Sequence, residues 1–225
     1  MRRSARLLLG VVVAVCMTST PAAAHSDRRL GGLLGALWET VLETPTADNP
    51  FTSTDPQDLC IDLTRQTRKS GARHRSPRVV APFAPPGPSA PRCAVRSGTR
   101  ILVTAYSSEC STIEAPPYFG RNERELRACA RNANAGYTEV SVAVDGKPVA
   151  LSETDSGLIR ADLPADNVFG VPAQRIYSVA QGWVALLHPL SRGTHEIDIH
   201  YEGVDVFGAE VDVTNTTTIV VTGRS

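Results

Sequence analysis

The stretch YTEVSVAVDGKPVAL, residues 137–151, changes character every second residue: Val140, Val142 and Val144 stand between polar or small neighbours. Successive strand side chains point to opposite faces, so this alternation predicts a half-buried β-strand. Asp145-Gly146 follows, and both residue types accept the positive φ angles of a two-residue hairpin turn. Outward from this hairpin, strands are expected at Gly157–Leu163, Gln174–Ala180, Gly182–His188, Thr194–Tyr201, Ala209–Val213 and Thr217–Thr222. Turn residues separate them at β-sandwich spacing, and residues 189–203, PLSRGTHEIDIHYEG, read as a turn feeding a strand. The expected fold is mainly β, an immunoglobulin-like sandwich domain with a helical N-terminal arm and one short helix tethered by a disulfide.

Upstream of the hairpin the pattern is less regular. Residues 100–107, RILVTAYS, form a short apolar run suited to a buried strand. Residues 120–136, GRNERELRACARNANAG, read as a helix: Asn122 can cap it, Glu125 is placed as the capping-box partner, and Gly136 can close it. Leu126, Cys129 and Ala133 share one face. In residues 30–43, LGGLLGALWETVLE, the leucines and Val41 recur at helical spacing, but Gly31, Gly32 and Gly35 confine the expected helix to Gly35–Glu43. Residues 65–92 carry Arg65, Arg68, Lys69, Arg73, Arg75 and Arg78, then five prolines, and read as a basic loop or polyproline II segment.

The N-terminus reads as an export signal. Arg2, Arg3 and Arg6 precede an apolar run from Leu7 to Met17, too short to span a bilayer, and Ala22-Ala23-Ala24 supply small residues for cleavage before His25. The expected organisation is a signal peptide over 1–24, a helical arm over 25–59 and a stapled β-rich domain over 60–222. The chain carries 23 basic and 23 acidic residues, and loss of the three signal arginines leaves the mature chain at −3. That excludes a strong field for nucleic acid, and no later segment suits stable insertion in a membrane. The scarcity of lysine against arginine matches the codon usage of a GC-rich bacterial genome.

Cys60, Cys93, Cys110 and Cys129 remain after cleavage, an even number delivered to an oxidising compartment. No C-x-x-C occurs, so neither a zinc knuckle nor a redox pair is indicated. Four cysteines allow three connectivities; the preferred one is Cys60–Cys93, closing the basic loop, with Cys110–Cys129, tying a strand end to the capped helix. Such loops should each contribute about 3–4 kcal/mol.

Residues 107–123, SSECSTIEAPPYFGRNE, gather Glu109, Glu114 and Glu123 around a cysteine and a Pro-Pro turn. Clustered carboxylates suit a ligand site or an acid/base pair acting on a glycan, and they equally suit a structured loop. Calcium loops interleave Asp and Asn at two-residue steps, which this segment lacks. On residues 195–202, HEIDIHYE, parity sets His195, Ile197 and Ile199 against Glu196, Asp198, His200 and Glu202. The second face has metal-ligating residue types but reads as a solvated sheet surface. Trp38, Trp183, Tyr118 and Tyr137 could stack on sugars, though Trp183 opens an apolar strand and reads as core. Asn215-Thr216-Thr217 fits a glycosylation sequon. No G-x-S-x-G, H-E-x-x-H or phosphate loop occurs, so no catalytic residue, metal or cofactor is assigned.

Several stretches together resemble a family of secreted bacterial proteins of unknown function. They are Trp38 with Pro45 and Asn49-Pro50, then Cys60, then Cys93-Ala94-Val95 with Gly98. After these come Glu109-Cys110-Ser111 with Glu114, the helix from Glu125 to Ala130, Val144-Asp145-Gly146, Gly182-Trp183 and Pro189 to His195. Between Cys60 and Cys93 the chain departs, carrying its basic, proline-rich run where the family has a Gly-Gln and an aromatic strand. The resemblance implies the same disulfide pairing and a β-rich C-terminal half; it brings no activity. The expected function is a non-catalytic module of the extracellular space or cell envelope that binds a protein or glycan. The alternative is a secreted hydrolase using Glu109, Glu114 and Glu123.

Overall fold

A computed structural model describes residues 21–53, 55, 59–64, 78–84 and 90–223, with side chains from Arg28 onward. The charged and apolar start of the expected export signal lies outside the described residues, as do 65–77 and 85–89 of the basic loop. The chain is mainly β, with two sheets and two disulfides.

The elements are α1 (Pro21–Glu43), β1 (Cys60–Asp62), β2 (Val79–Pro82), β3 (Arg92–Arg96), β4 (Arg100–Ser111), α2 (Glu123–Asn134), β5 (Tyr137–Val144), β6 (Lys147–Pro148), β7 (Ser152–Asp155), β8 (Ile159–Leu163), β9 (Gln174–Leu187), β10 (Gly193–Val204) and β11 (Glu210–Thr222). One sheet runs β1-β2-β4-β9-β7, with β8 also on β9; the other runs β3-β11-β10-β5-β6. All pairings are antiparallel except β2 with β4 and β3 with β11.

The residues of β4 show how the layers are stacked. Ile101, Val103 and Ala105 pack with Val142, Ile197, Ile199 and Ile219 of the second sheet, so the two sheets face each other across one core. Leu102, between them, turns the other way and packs with Leu34, Leu37 and Val41 of α1. A strand covered on both faces needs no polar alternation, which accounts for the unbroken apolar run seen in its sequence. Cys60–Cys93 joins β1 of the first sheet to β3 of the second. Cys110–Cys129 pins α2 to the end of β4.

Five expectations change. The α1 helix continues through Gly31, Gly32 and Gly35; Gly31 and Gly35 lie against the β7–β8 edge, where a Cβ on Gly31 would stand 2.3 Å from the Asp155 carbonyl oxygen. The two strands expected around Gln181 are one, β9; Gly182 keeps it close to β4, where a Cβ would meet the Tyr106 carbonyl oxygen at 2.4 Å. The two strands expected at 209–222 are also one, β11. Within the expected loop 65–92, Val79–Pro82 is a buried strand, its apolar side chains sealing both cores and Pro82 ending it. Gly136 has no positive φ and does not close α2 as a left-handed cap. It is small because the Val204 carbonyl oxygen would lie 2.0 Å from a Cβ there.

The hairpin at Asp145-Gly146 forms as expected, with φ of 49° and 73° and Val144 opposite Lys147. Asn122 caps α2 by accepting from the Glu125 amide at 3.1 Å. The Glu125 carboxylate reaches back to the Arg121 amide and the Asn122 side chain, one residue off the usual capping box.

Candidate functional site

β2 pairs with β4 only through Val79–Arg100 and Val80–Ile101, although β4 runs on to Ser111. From Leu102 to Cys110 its edge away from β9 has no strand partner among the described residues. A bulge at Thr104–Tyr106 increases the local twist. A cavity of about 280 Å³ lies along this open edge.

Two aromatic groups wall the cavity. On the α1 side, Phe51 and Phe83 meet edge to face at 5.0 Å and Trp38 lies 6.0 Å from Phe51. Trp38 is thus a buried wall of the domain; its indole N–H donates to Ser107 Oγ at 3.1 Å. Phe51 is set by Asn49, whose buried amide donates to the Val41 and Thr44 carbonyls, finishing α1, while its oxygen accepts from the Phe51 amide at 3.0 Å. Toward the second sheet, Tyr106 of β4 meets Tyr137 at 4.1 Å and Tyr201 at 4.9 Å in tilted pairs, and Tyr137 donates its hydroxyl to Tyr106 at 2.7 Å. In a chain only 5% aromatic, seven aromatic side chains line this one cavity, a concentration that chance composition does not give.

The structure brings together two of the three carboxylates singled out from sequence. Glu109, on β4, is 6% exposed and accepts from the Ser178 hydroxyl; Glu114, on the loop beyond Ser111, lies near it and is half-buried. Both line the cavity. Burial, then the charge of Glu114, pushes the Glu109 carboxyl well above the ordinary carboxylate range; burial also raises Glu114. Burial and the neighbouring carboxyl thus favour the protonated form of Glu109 more than in an ordinary carboxyl. Glu123 is elsewhere, on the exposed side of α2, paired with Arg127 at 2.7 Å.

Sequence reasoning missed Phe51, Phe83, Tyr106, Tyr201 and Asn215 as cavity residues. Asn215, the sequon asparagine, is 4% exposed and faces inward, which removes it as a glycan acceptor. Among the described residues, the Thr104 hydroxyl and one Glu114 carboxylate oxygen are buried without a hydrogen-bond partner.

Parity on β10 holds: Ile197, Ile199 and Tyr201 are buried, while Asp198, His200 and Glu202 are on the outer face. There His200, Glu202 and Asp212 bring one ligand atom each within 4.8 Å of the others, on a solvated surface. No helix among the described residues is long and apolar enough to cross a membrane.

No protein-family model matches the chain, and no curated protein does. Among solved structures, the crystal structure of the cysteine protease inhibitor EhICP2 from Entamoeba histolytica is similar over 58% of this chain and 86% of that one, at 14% identity and a TM-score of 0.24. The solution structure of Amebosin is similar over 58% of this chain and 88% of that one, at 14% identity and a TM-score of 0.20. At these TM-scores neither likeness bears on what this chain binds.

Proposed function

We propose that this protein is an exported, non-catalytic binding module of immunoglobulin-like sandwich type, belonging with the secreted bacterial proteins whose ordered motifs it resembles. Its partner is a protein or glycan outside the cytoplasm, engaged at the open edge of β4. The observation that carries this reading is the aromatic cavity itself: concave, walled by rings, with a few buried polar groups left unpaired inside. Two disulfides fit an oxidising compartment. The binding reading stands ahead of hydrolysis because Glu123, the third carboxylate of that alternative, lies away from the cavity on α2, paired with Arg127.

The test compares the wild type with Ala84→Trp, which fills the cavity from its rim. Both are immobilised and exposed to culture medium and envelope extract. Components held by the wild type are expected to be lost from the variant, with circular dichroism unchanged. Equal retention of the same components by both would sink the reading.

A further inference from the structure

We infer that the open edge of β4 accepts an extended peptide whose Lys or Arg side chain enters the aromatic cavity and meets the Glu109–Glu114 pair. This rests on reading the cavity as a binding site and names its occupant.

The backbone argument starts at Ser111. Its N–H and C=O both point away from β9, to the Tyr118 carbonyl and the Gly120 amide, at 3.1 and 3.2 Å. Backbone direction alternates along an antiparallel strand, so the groups of Glu109 and Ser107 point to the same open side. A strand edge with free donors and acceptors is a template for an added strand. The Tyr118–Gly120 segment already uses it for one residue, as an isolated bridge between Ser111 and Phe119. Apolar rings flank that end: Phe119 is exposed, and Phe207, 70% exposed, packs on Tyr118.

Size and charge choose the side chain. At about 280 Å³ the cavity is at the small end of ligand pockets, so it holds one side chain and not an oligosaccharide. Glu109 is buried, Glu114 lies near it, and no basic side chain lines the cavity among the described residues. The other titratable side chains around the pair are Tyr106, Tyr118 and Tyr201; from α1, β9 and β11 it is faced by Trp38, Ser178 and Asn215, which do not titrate. An ammonium or guanidinium entering here supplies a counter-charge for the two carboxyl groups, and the aromatic walls suit a cation on an apolar stem. Asn215 and Thr104 offer the remaining hydrogen bonds. A cation so placed favours the ionised carboxyl groups, and a proton displaced from Glu109 passes to solvent.

The experiment uses the full chain and heptapeptides Ac-Thr-Thr-Val-X-Val-Thr-Thr-NH2 with X as Lys, Arg, Leu or Glu, by titration calorimetry. Lys and Arg peptides are expected to bind about tenfold or more tighter than the Leu peptide. Titration in buffers of different ionisation enthalpy should show about one proton released per peptide, and this release should vanish in Glu109→Gln. N-methylation of alternate peptide amides should remove binding. Equal affinity for Lys and Leu, or no saturable binding of Lys or Arg peptide up to about 1 mM, would overturn the inference. If the cavity-filled variant still loses its envelope components in that case, the binding reading survives and only the occupant is wrong. Binding of free glucosamine in preference to the Lys peptide would assign the cavity to glycan instead.

Discussion

Gly31 of α1 lies against the backbone of Asp155 so closely that a Cβ would stand 2.3 Å from its carbonyl oxygen. The same Asp155 carboxylate receives Arg127 at 3.2 Å and also Arg131, both from α2. One residue on β7 thus holds the two helices to the edge of the first sheet, and through α1 it positions Trp38 over the cavity.

Gly31→Ala should destabilise the protein by about 1–3 kcal/mol, because the obstacle is backbone and cannot rotate away. Gly32→Ala is the control: nothing stands within 4 Å of its Cβ position. There the better helix former should stabilise by about 0.5–1 kcal/mol. Urea midpoints of the two variants are expected on opposite sides of the wild type.

Burial pushes the Asp155 carboxyl upward, but the hydrogen bonds and charges of Arg131 and Arg127 outweigh it and hold it below 3.8. A carboxyl lowered on folding contributes stability above its unfolded value and loses it as pH falls through the folded one. Asp155→Asn should therefore cost stability at neutral pH, and the gap to wild type should close below pH 3.8. A gap independent of pH would assign Asp155 a packing role alone.

Glu109 runs the other way. Raised by burial and by Glu114, it stabilises the native state fully near and below 4.5, and that contribution disappears as pH rises through its elevated value. Glu109→Gln keeps the neutral, hydrogen-bonding shape without the titration. Its urea midpoint is expected to match wild type in acid and exceed it in alkali. Parallel curves across the range would mean that burial does not raise Glu109.

Replacing Cys110 and Cys129 by Ser together should cost about 3 kcal/mol, and the Cys60/Cys93 double replacement slightly more, since its loop is longer. The second pair also joins the sheets, so its loss should loosen Val80 and Val95 in hydrogen exchange before it affects α2.

The distinction between local and distant information explains which parts of this molecule could be read from its sequence. The alternation at Val140, Val142 and Val144, the Asp145-Gly146 turn and the Asn122 cap are interactions within a few residues, and the structure shows each of them. The disulfide pairing and the inward faces of β10 and α2 likewise follow the expected pattern. The glycines misled, because in α1, β9 and after α2 they mark close approach of another backbone and not a break in the element.

At the cavity, sequence placed Glu109, Glu114 and Glu123 together because they are close in the chain. Strand and helix geometry then separated them: β4 buries Glu109, its loop folds Glu114 back, and the capped α2 turns Glu123 to solvent. Nothing local to Trp38, Phe51, Phe83, Tyr201 or Asn215 announces a shared site.

By itself, then, the sequence determined the β-rich class, the turn, the helix cap and the supply of cysteines, because burial periodicity and backbone preference act over one or two turns of chain. Only the tertiary structure decided that β2 stops after two pairs with β4, leaving an edge open beside two aromatic walls. That edge depends on contacts among residues more than a hundred positions apart, from Trp38 to Asn215, and chain-distant contact leaves no local pattern to read.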